Sequence, residues 1–146
     1  AFLNSKVSIP AMDVVLALGW ALGWIVLWAV YDILMVEHYF KPVNIWAQPG
    51  YTRLWSKYLD VYHLATWWIL FPVTTYAAFG LSWASAFVAV MFLSGWEDVL
   101  YFWLQGKPVP RTIDWLPLTP TSWHLYARAA GGLVVLVALL VLRPFG

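Results

Sequence analysis

The chain has 146 residues, of which 63% are hydrophobic and only 10% are charged, and its formal net charge is +1. This composition and a mean hydropathy of +0.74 lie outside the range of soluble domains and predict an integral membrane protein, with no basic field for a nucleic acid. Because the chain has no cysteine, it can form neither disulfides nor thiolate metal sites, which excludes zinc ribbons and iron–sulfur clusters.

Four segments are long and apolar enough to cross the hydrocarbon core of a bilayer, which needs about 20 helical residues. We therefore predict a single all-α domain over residues 1–146, a polytopic membrane protein built as a four-helix bundle. The N-terminal residues lack the pattern of a secretory signal, so the first helix is expected to stay in the mature protein. The four predicted helices cover residues 11–36, 60–80, 81–104 and 121–143.

The connections between these helices differ greatly in length. Residues 78–82 make a short turn, whereas residues 38–59 and 105–120 form long connections at the opposite end of the bundle. Basic residues concentrate on the cytoplasmic side of membrane proteins. We therefore predict that the long connections are cytoplasmic and that both termini are not. The basic residues of the long connections are Lys41, Arg53, Lys57, Lys107 and Arg111.

Tryptophan recurs at every fourth position of the first predicted helix, and the series ends in Asp32. Positions with this spacing form one slowly drifting stripe on a helix. With tryptophans on neighbouring helices, the stripe predicts a pocket for a flat hydrophobic molecule such as a quinone, isoprenoid, sterol or pigment. Core packing or lipid contact is the alternative. The tryptophans assigned to the pocket are Trp20, Trp24, Trp28, Trp67, Trp68 and Trp96.

Small residues and a proline predict how the helices pack. Gly19 and Gly23 are four residues apart, as are Ala127 and Gly131, and such steps permit close helix approach. In the second helix, Pro72 cannot donate a backbone hydrogen bond, so we expect a bend there.

Threading four helices back and forth brings every histidine and most acids to the cytoplasmic end. A charge at the centre of a membrane helix costs about 2.5 to 3.5 kcal/mol, so these groups must pair, take up a proton or bind metal. The cluster predicts one or two divalent ions, Fe or Zn, beside the pocket, acting on a lipid-like substrate. The candidate ligands are His38, His63, His124 and Glu97, supported by Glu37, Asp60 and Asp98.

An alternative use of the same cluster needs no metal. Glu97, Asp98 or Asp32 would then be a catalytic general acid in an isomerase, or part of a site that binds sterol or isoprenoid lipids. Arg128 lies inside the fourth predicted helix. It is expected to need an anion, for which these same acids are the candidate charge partners.

Two further functions stay open. His63 and His124 could ligate a haem between the second and fourth helices, in a haem- or quinone-binding electron-transfer subunit. The chain could also be a non-enzymatic accessory subunit, in a homo-oligomer or a larger membrane complex, with its polar groups held in salt bridges. The bilayer and a hydrophobic small molecule are the expected partners.

A short run in the third predicted helix resembles a known family. Residues 98–102, DVLYF, follow a tight hairpin and precede a loop and a final helix. This arrangement resembles the emopamil-binding-protein family of sterol isomerases and sterol-binding membrane proteins over the last three helices. The resemblance implies a hydrophobic substrate and, in the enzymes, a double-bond shift by proton transfer from intramembrane acids. Asp98 alone lies within the matching run, and Glu97 replaces an expected small residue. The family's other acidic helix has no match at Asp60 or His63, so no catalytic role is carried over.

Overall fold

The structure, a computed structural model, describes residues 11–44, 61–113, 115–116 and 118–142. Within these ranges the chain forms helices and no β-strand, in agreement with the predicted all-α class. Helix α1 comprises Ala11–Ile33 and continues through Leu34–Phe40 and Lys41–Val43. Helix α2 comprises Val61–His63, Leu64–Leu70 and Phe71–Phe79. The remaining helices are α3 (Trp83–Leu93), α4 (Trp96–Trp103) and α5 (Ser122–Leu142).

Two of these helices are long and apolar enough to cross a membrane, namely Val14–Val43 within α1 and Ser122–Leu142. Helices α3 and α4 qualify as a third span only when they are taken together, and they are bent by 71° relative to each other. The apolar part of α2, Leu64–Phe79, is shorter. The described residues therefore form a helical protein with two or three candidate membrane spans. The fourth span and the predicted orientation stay predictions.

The predicted helix over residues 81–104 is broken in the middle. It begins with a capping box, in which Ser82 and Ser85 exchange side-chain and backbone hydrogen bonds. It ends at Leu93, because Gly95 adopts a left-handed conformation with φ +84°, which stops a helix. Helix α4 then starts in a new direction at Trp96. Hydropathy alone does not detect such a break, since both halves are apolar.

Helix α5 packs tightly against this break through Gly132. A Cβ atom on Gly132 would lie 2.2 Å from Ser94 Oγ, whereas one on Gly19, Gly23 or Gly131 would meet nothing within 4 Å. The close approach of α5 therefore occurs at Gly132, one residue beyond the predicted small-residue step of Ala127 and Gly131. The predicted step on α1 makes no close approach within the described part of the chain.

Helices α1 and α2 each contain a widened turn, over Leu34–Phe40 and Leu64–Leu70. The backbone N–H that follows each turn bonds to the carbonyl five residues earlier instead of four. Pro42 and Pro72 lie two residues after the turns. Because proline lacks an N–H and its ring crowds the carbonyl four residues earlier, widening the turn before it relieves the clash. The expected adjustment at Pro72 thus takes the form of a widened turn.

Two groups of buried side chains hold the helices together. The first is rich in aromatic rings and joins α1, α2, α3 and α5. In it Trp28 packs edge to face on Phe71 with ring centroids 5.4 Å apart. The second joins α4 and α5 to the loop between them through Val99, Ile113 and Leu125. The loop is therefore folded back onto the helices, beside the break between α3 and α4.

Candidate functional site

A cavity of about 920 Å³ opens beside the helix break. Its size lies within the range of small-molecule sites, roughly 300 to 1,000 Å³. All five helices and the loop after α4 contribute to its wall. The charged or ionisable lining groups are Asp32, Lys41, His63, Glu97, Asp98 and Arg128. The aromatic lining groups are Trp67, Trp68, Phe92, Tyr101, Phe102 and Trp115, and the apolar remainder is Val36, Leu93, Gly95, Pro110 and Leu116.

The helix break explains why two adjacent carboxyl groups occur in an apolar segment. Glu97 and Asp98 lie in the first turn of α4, where backbone N–H groups lack helical partners and the helix dipole favours negative charge. Glu97 is only 3% exposed. Its Oε1 atom has no hydrogen-bond partner in the described ranges. A buried, unpartnered carboxyl oxygen in a cavity wall is available to a ligand.

A second carboxyl group, that of Asp32 on α1, lies in the same cavity wall as Glu97. Tyr62 donates its hydroxyl to Asp32 Oδ1 at 2.5 Å and so holds this side chain in place. Two carboxylates in one largely apolar wall repel each other, so a single proton on the pair is favoured over two charges. The pair is therefore a candidate for a carboxyl dyad that holds one proton.

Asp98 is held by the loop rather than by an arginine. Trp115 donates its ring N–H to Asp98 Oδ1 at 3.1 Å. Arg128 lines the same cavity as Asp98, but it donates hydrogen bonds, both 2.6 Å, to Thr119 Oγ1 and the carbonyl of Leu93. Leu93 is the last residue of α3, and Thr119 lies in the loop before α5. Arg128 therefore caps the C-terminus of α3 and holds the loop against it.

The structure brings one of the three histidines to the cavity. His63 lines it, whereas His38 and His124 are exposed and do not. His124 Nδ1 lies 2.6 Å from Thr121 Oγ1. Glu37 contacts Lys41 and a tyrosine, and Asp60 lies outside the described residues. Within the ranges that the structure describes, no three His, Cys, Asp or Glu side chains are grouped so that they could hold a metal ion.

Of the six tryptophans predicted to form a pocket, Trp67 and Trp68 line the cavity. Trp24 and Trp28 pack in the aromatic core, and Trp20 is exposed. A residue at every fourth position turns by about 40° per step around a helix, so the stripe drifts from the outer surface into the core. Trp96 donates its ring N–H to the carbonyl of Ala129 at 3.0 Å and joins α4 to α5.

Sequence reasoning did not single out several lining residues. Tyr101 follows Glu97 by four residues, a spacing that puts both on one helix face, so it could have been found from that acid. Trp115 and Leu116 form an apolar pair in a proline-rich loop, which indicates a loop segment that packs on the protein. Lys41 could not have been found, because the widened turn changes the helical phase before it.

The described helices and the cavity define a broad class, that of helical proteins with two or three helices able to span a membrane. Comparisons with family models, with curated proteins and with solved structures give no match for the chain. The resemblance to the emopamil-binding-protein family therefore stays a prediction, and the function has to be argued from the cavity.

Proposed function

We propose that the chain is a four-helix membrane protein that binds a lipid-like molecule in the cavity and uses the Asp32 and Glu97 dyad as a general acid and base towards it. One observation carries this proposal. The carboxyl group of Glu97 is 3% exposed, has an unpartnered oxygen and lies in the wall of a cavity of ligand size. Burying an unpartnered carboxyl group costs free energy. Ionisable groups inside membrane helices are therefore rare and usually mark functional sites.

The lining of the cavity supports a hydrophobic ligand with a small polar or unsaturated centre. Aromatic and apolar side chains dominate the wall, and the charged groups provide the polar contacts. In this proposal α2 and the bent pair of α3 and α4 supply two membrane passes besides α1 and α5. A lipid could then enter the cavity sideways from the bilayer.

A dyad with one proton can shift a carbon–carbon double bond without a change of oxidation state. The protonated carboxyl group gives its proton to one alkene carbon, which leaves a carbocation and a carboxylate. The partner carboxylate then removes a proton from the neighbouring carbon, so the double bond moves and the dyad again holds one proton. Trp67, Trp68 and Trp115 line the cavity, and an indole ring stabilises a cation that lies over its face.

Filling the cavity is expected to prevent binding. The variant Leu116→Trp adds a ring to a lining residue, so we expect the affinity for a hydrophobic ligand to fall about tenfold or more, about 1.4 kcal/mol. Binding is measured with the protein in detergent, using radiolabelled sterol, polyprenol and quinone as a panel.

The matched control for this variant is Leu118→Trp, two residues later in the same loop, where the native leucine is 97% exposed and does not line the cavity. It should bind as the native protein does. Equal affinity of the native protein and Leu116→Trp for every ligand of the panel that binds would show that the ligand occupies another place.

A further inference from the structure

Glu37 lies just outside the cavity in a short chain of hydrogen bonds. Lys41 Nζ is 2.6 Å from Glu37 Oε1, and the hydroxyl of Tyr101 donates to the same oxygen at 2.5 Å. The side chain of Lys41 is 54% exposed and that of Glu37 is 19% exposed. Glu37 is thus partly exposed to solvent and also accepts a hydrogen bond from Tyr101, a residue of the cavity wall.

Tyr101 joins this outer acid to the wall of the cavity that contains the dyad. It is buried and lines the cavity, and it follows Glu97 by four residues on the same face of α4. Asp32 lines the same cavity from α1. One side chain therefore donates a hydrogen bond to a partly exposed carboxylate and shares a cavity wall with both carboxyl groups of the dyad.

The widened turn in α1 makes this arrangement possible. Lys41 follows Asp32 by nine residues, about two and a half turns of a regular α-helix, which would put the two side chains on opposite faces. Both nevertheless line the cavity, because the turn over Leu34–Phe40 unwinds the helix between them. Such turns occur frequently at functional sites.

We propose that Glu37 and Tyr101 form the route by which protons reach the Asp32 and Glu97 dyad. This inference rests on the proposed function, in which the dyad holds one proton. The route sets how fast that proton is first taken up and how fast it exchanges with outside water. Glu37 takes up a proton from outside water, and the Tyr101 hydroxyl then turns from Glu37 towards the dyad. The hydroxyl proton passes to the dyad while Glu37 gives its own proton to the Tyr101 oxygen. One proton moves inward, Tyr101 ends neutral, and Glu37 returns to a carboxylate paired with Lys41.

The test measures how fast the dyad proton exchanges with solvent. Purified protein in a detergent without carbonyl groups is transferred from H2O to D2O, and the infrared C=O stretch of the protonated carboxyl group is followed with time. Its loss in Glu97→Gln identifies the band. We expect Tyr101→Phe and Glu37→Gln to slow the shift of this band by about 100-fold or more. This factor is the lower end of the rate contribution that one positioned proton-transfer group makes.

Two variants separate a proton route from a structural effect. Tyr39→Phe removes the hydroxyl of an exposed tyrosine on α1 that is not part of the cavity wall and should exchange as the native protein does. Glu37→Asp keeps a carboxyl group and should restore most of the rate that Glu37→Gln loses. The thermal unfolding midpoint, measured in parallel, should be the same for Glu37→Gln and Glu37→Asp.

The outcomes distinguish this inference from the function on which it rests. If the native protein has no carboxyl band that depends on Glu97, the dyad holds no proton and both proposals are overturned. If the band is present but shifts at the native rate in both Tyr101→Phe and Glu37→Gln, the route is overturned while the dyad stands. Slowing in both variants, with native exchange in Tyr39→Phe, supports the route.

Discussion

Replacing Glu97 with glutamine is expected to lower proton transfer to a bound lipid by about 10² to 10⁴-fold, the range for loss of a positioned general acid. The amide has nearly the shape of the carboxyl group but cannot release a proton to an alkene. The measurement is incorporation of deuterium from D2O into a lipid that the native protein binds, followed by mass spectrometry. The substitution should leave both the hydrogen bond from Tyr62 to Asp32 and the apolar wall of the cavity unchanged. The ligand should therefore still bind.

His124→Gln is the matched control for this prediction. His124 was a candidate metal and haem ligand, but it is exposed and does not line the cavity, so its replacement should leave deuterium incorporation unchanged. Incorporation in the native protein should also survive treatment with a chelator. Native activity in Glu97→Gln would contradict the account, and so would a loss in His124→Gln as large as that in Glu97→Gln.

Gly132→Ala is expected to lower the free energy of unfolding by about 1 to 3 kcal/mol, the usual cost of overpacking a tight contact. A Cβ atom at this position would lie 2.2 Å from Ser94 Oγ and 2.5 Å from Ser94 Cβ. Serine is too short to move aside, and its backbone belongs to the helix break. Helix α5 or the first turn of α4 would therefore have to shift.

The neighbouring variant Gly131→Ala is the control, because a Cβ there meets nothing within 4 Å and alanine favours a helix. Unfolding is followed by circular dichroism during titration with a denaturing detergent, and ligand affinity is measured on the same samples. Gly132→Ala should lose both stability and affinity, since the break positions Glu97. Equal stability of the two variants would show that the close contact at Ser94 does not exist.

The helical class and the two long apolar helices follow from the sequence because burial in lipid requires long runs of apolar residues, and such runs are visible in composition. The broken third helix does not follow from hydropathy, although the pair Ser94 and Gly95 is a recognisable helix stop. Whether a glycine ends a helix or allows close packing depends on tertiary contacts. Gly95 does the first and Gly132 the second.

The acidic part of the site was easier to predict than the histidines. Asp32, Glu97 and Asp98 line one cavity, and an acid within an apolar run is conspicuous in the sequence. The position of His38 depends on the helical phase, which the widened turn over Leu34–Phe40 changes. His124 lies at the start of α5, where the direction of a side chain depends on how the preceding loop enters the helix. The phase of the tryptophan stripe drifts for the same geometric reason.

Photo-crosslinking tests most directly whether the cavity is a ligand site. A diazirine-bearing sterol or polyprenol is added to the protein in nanodiscs, irradiated and located by peptide mass spectrometry. The account predicts adducts on cavity residues such as Trp67 and Trp115, which excess unlabelled lipid suppresses and Leu116→Trp removes. Adducts confined to outward-facing positions such as Trp20 and Trp123, unaffected by competitor, would contradict it.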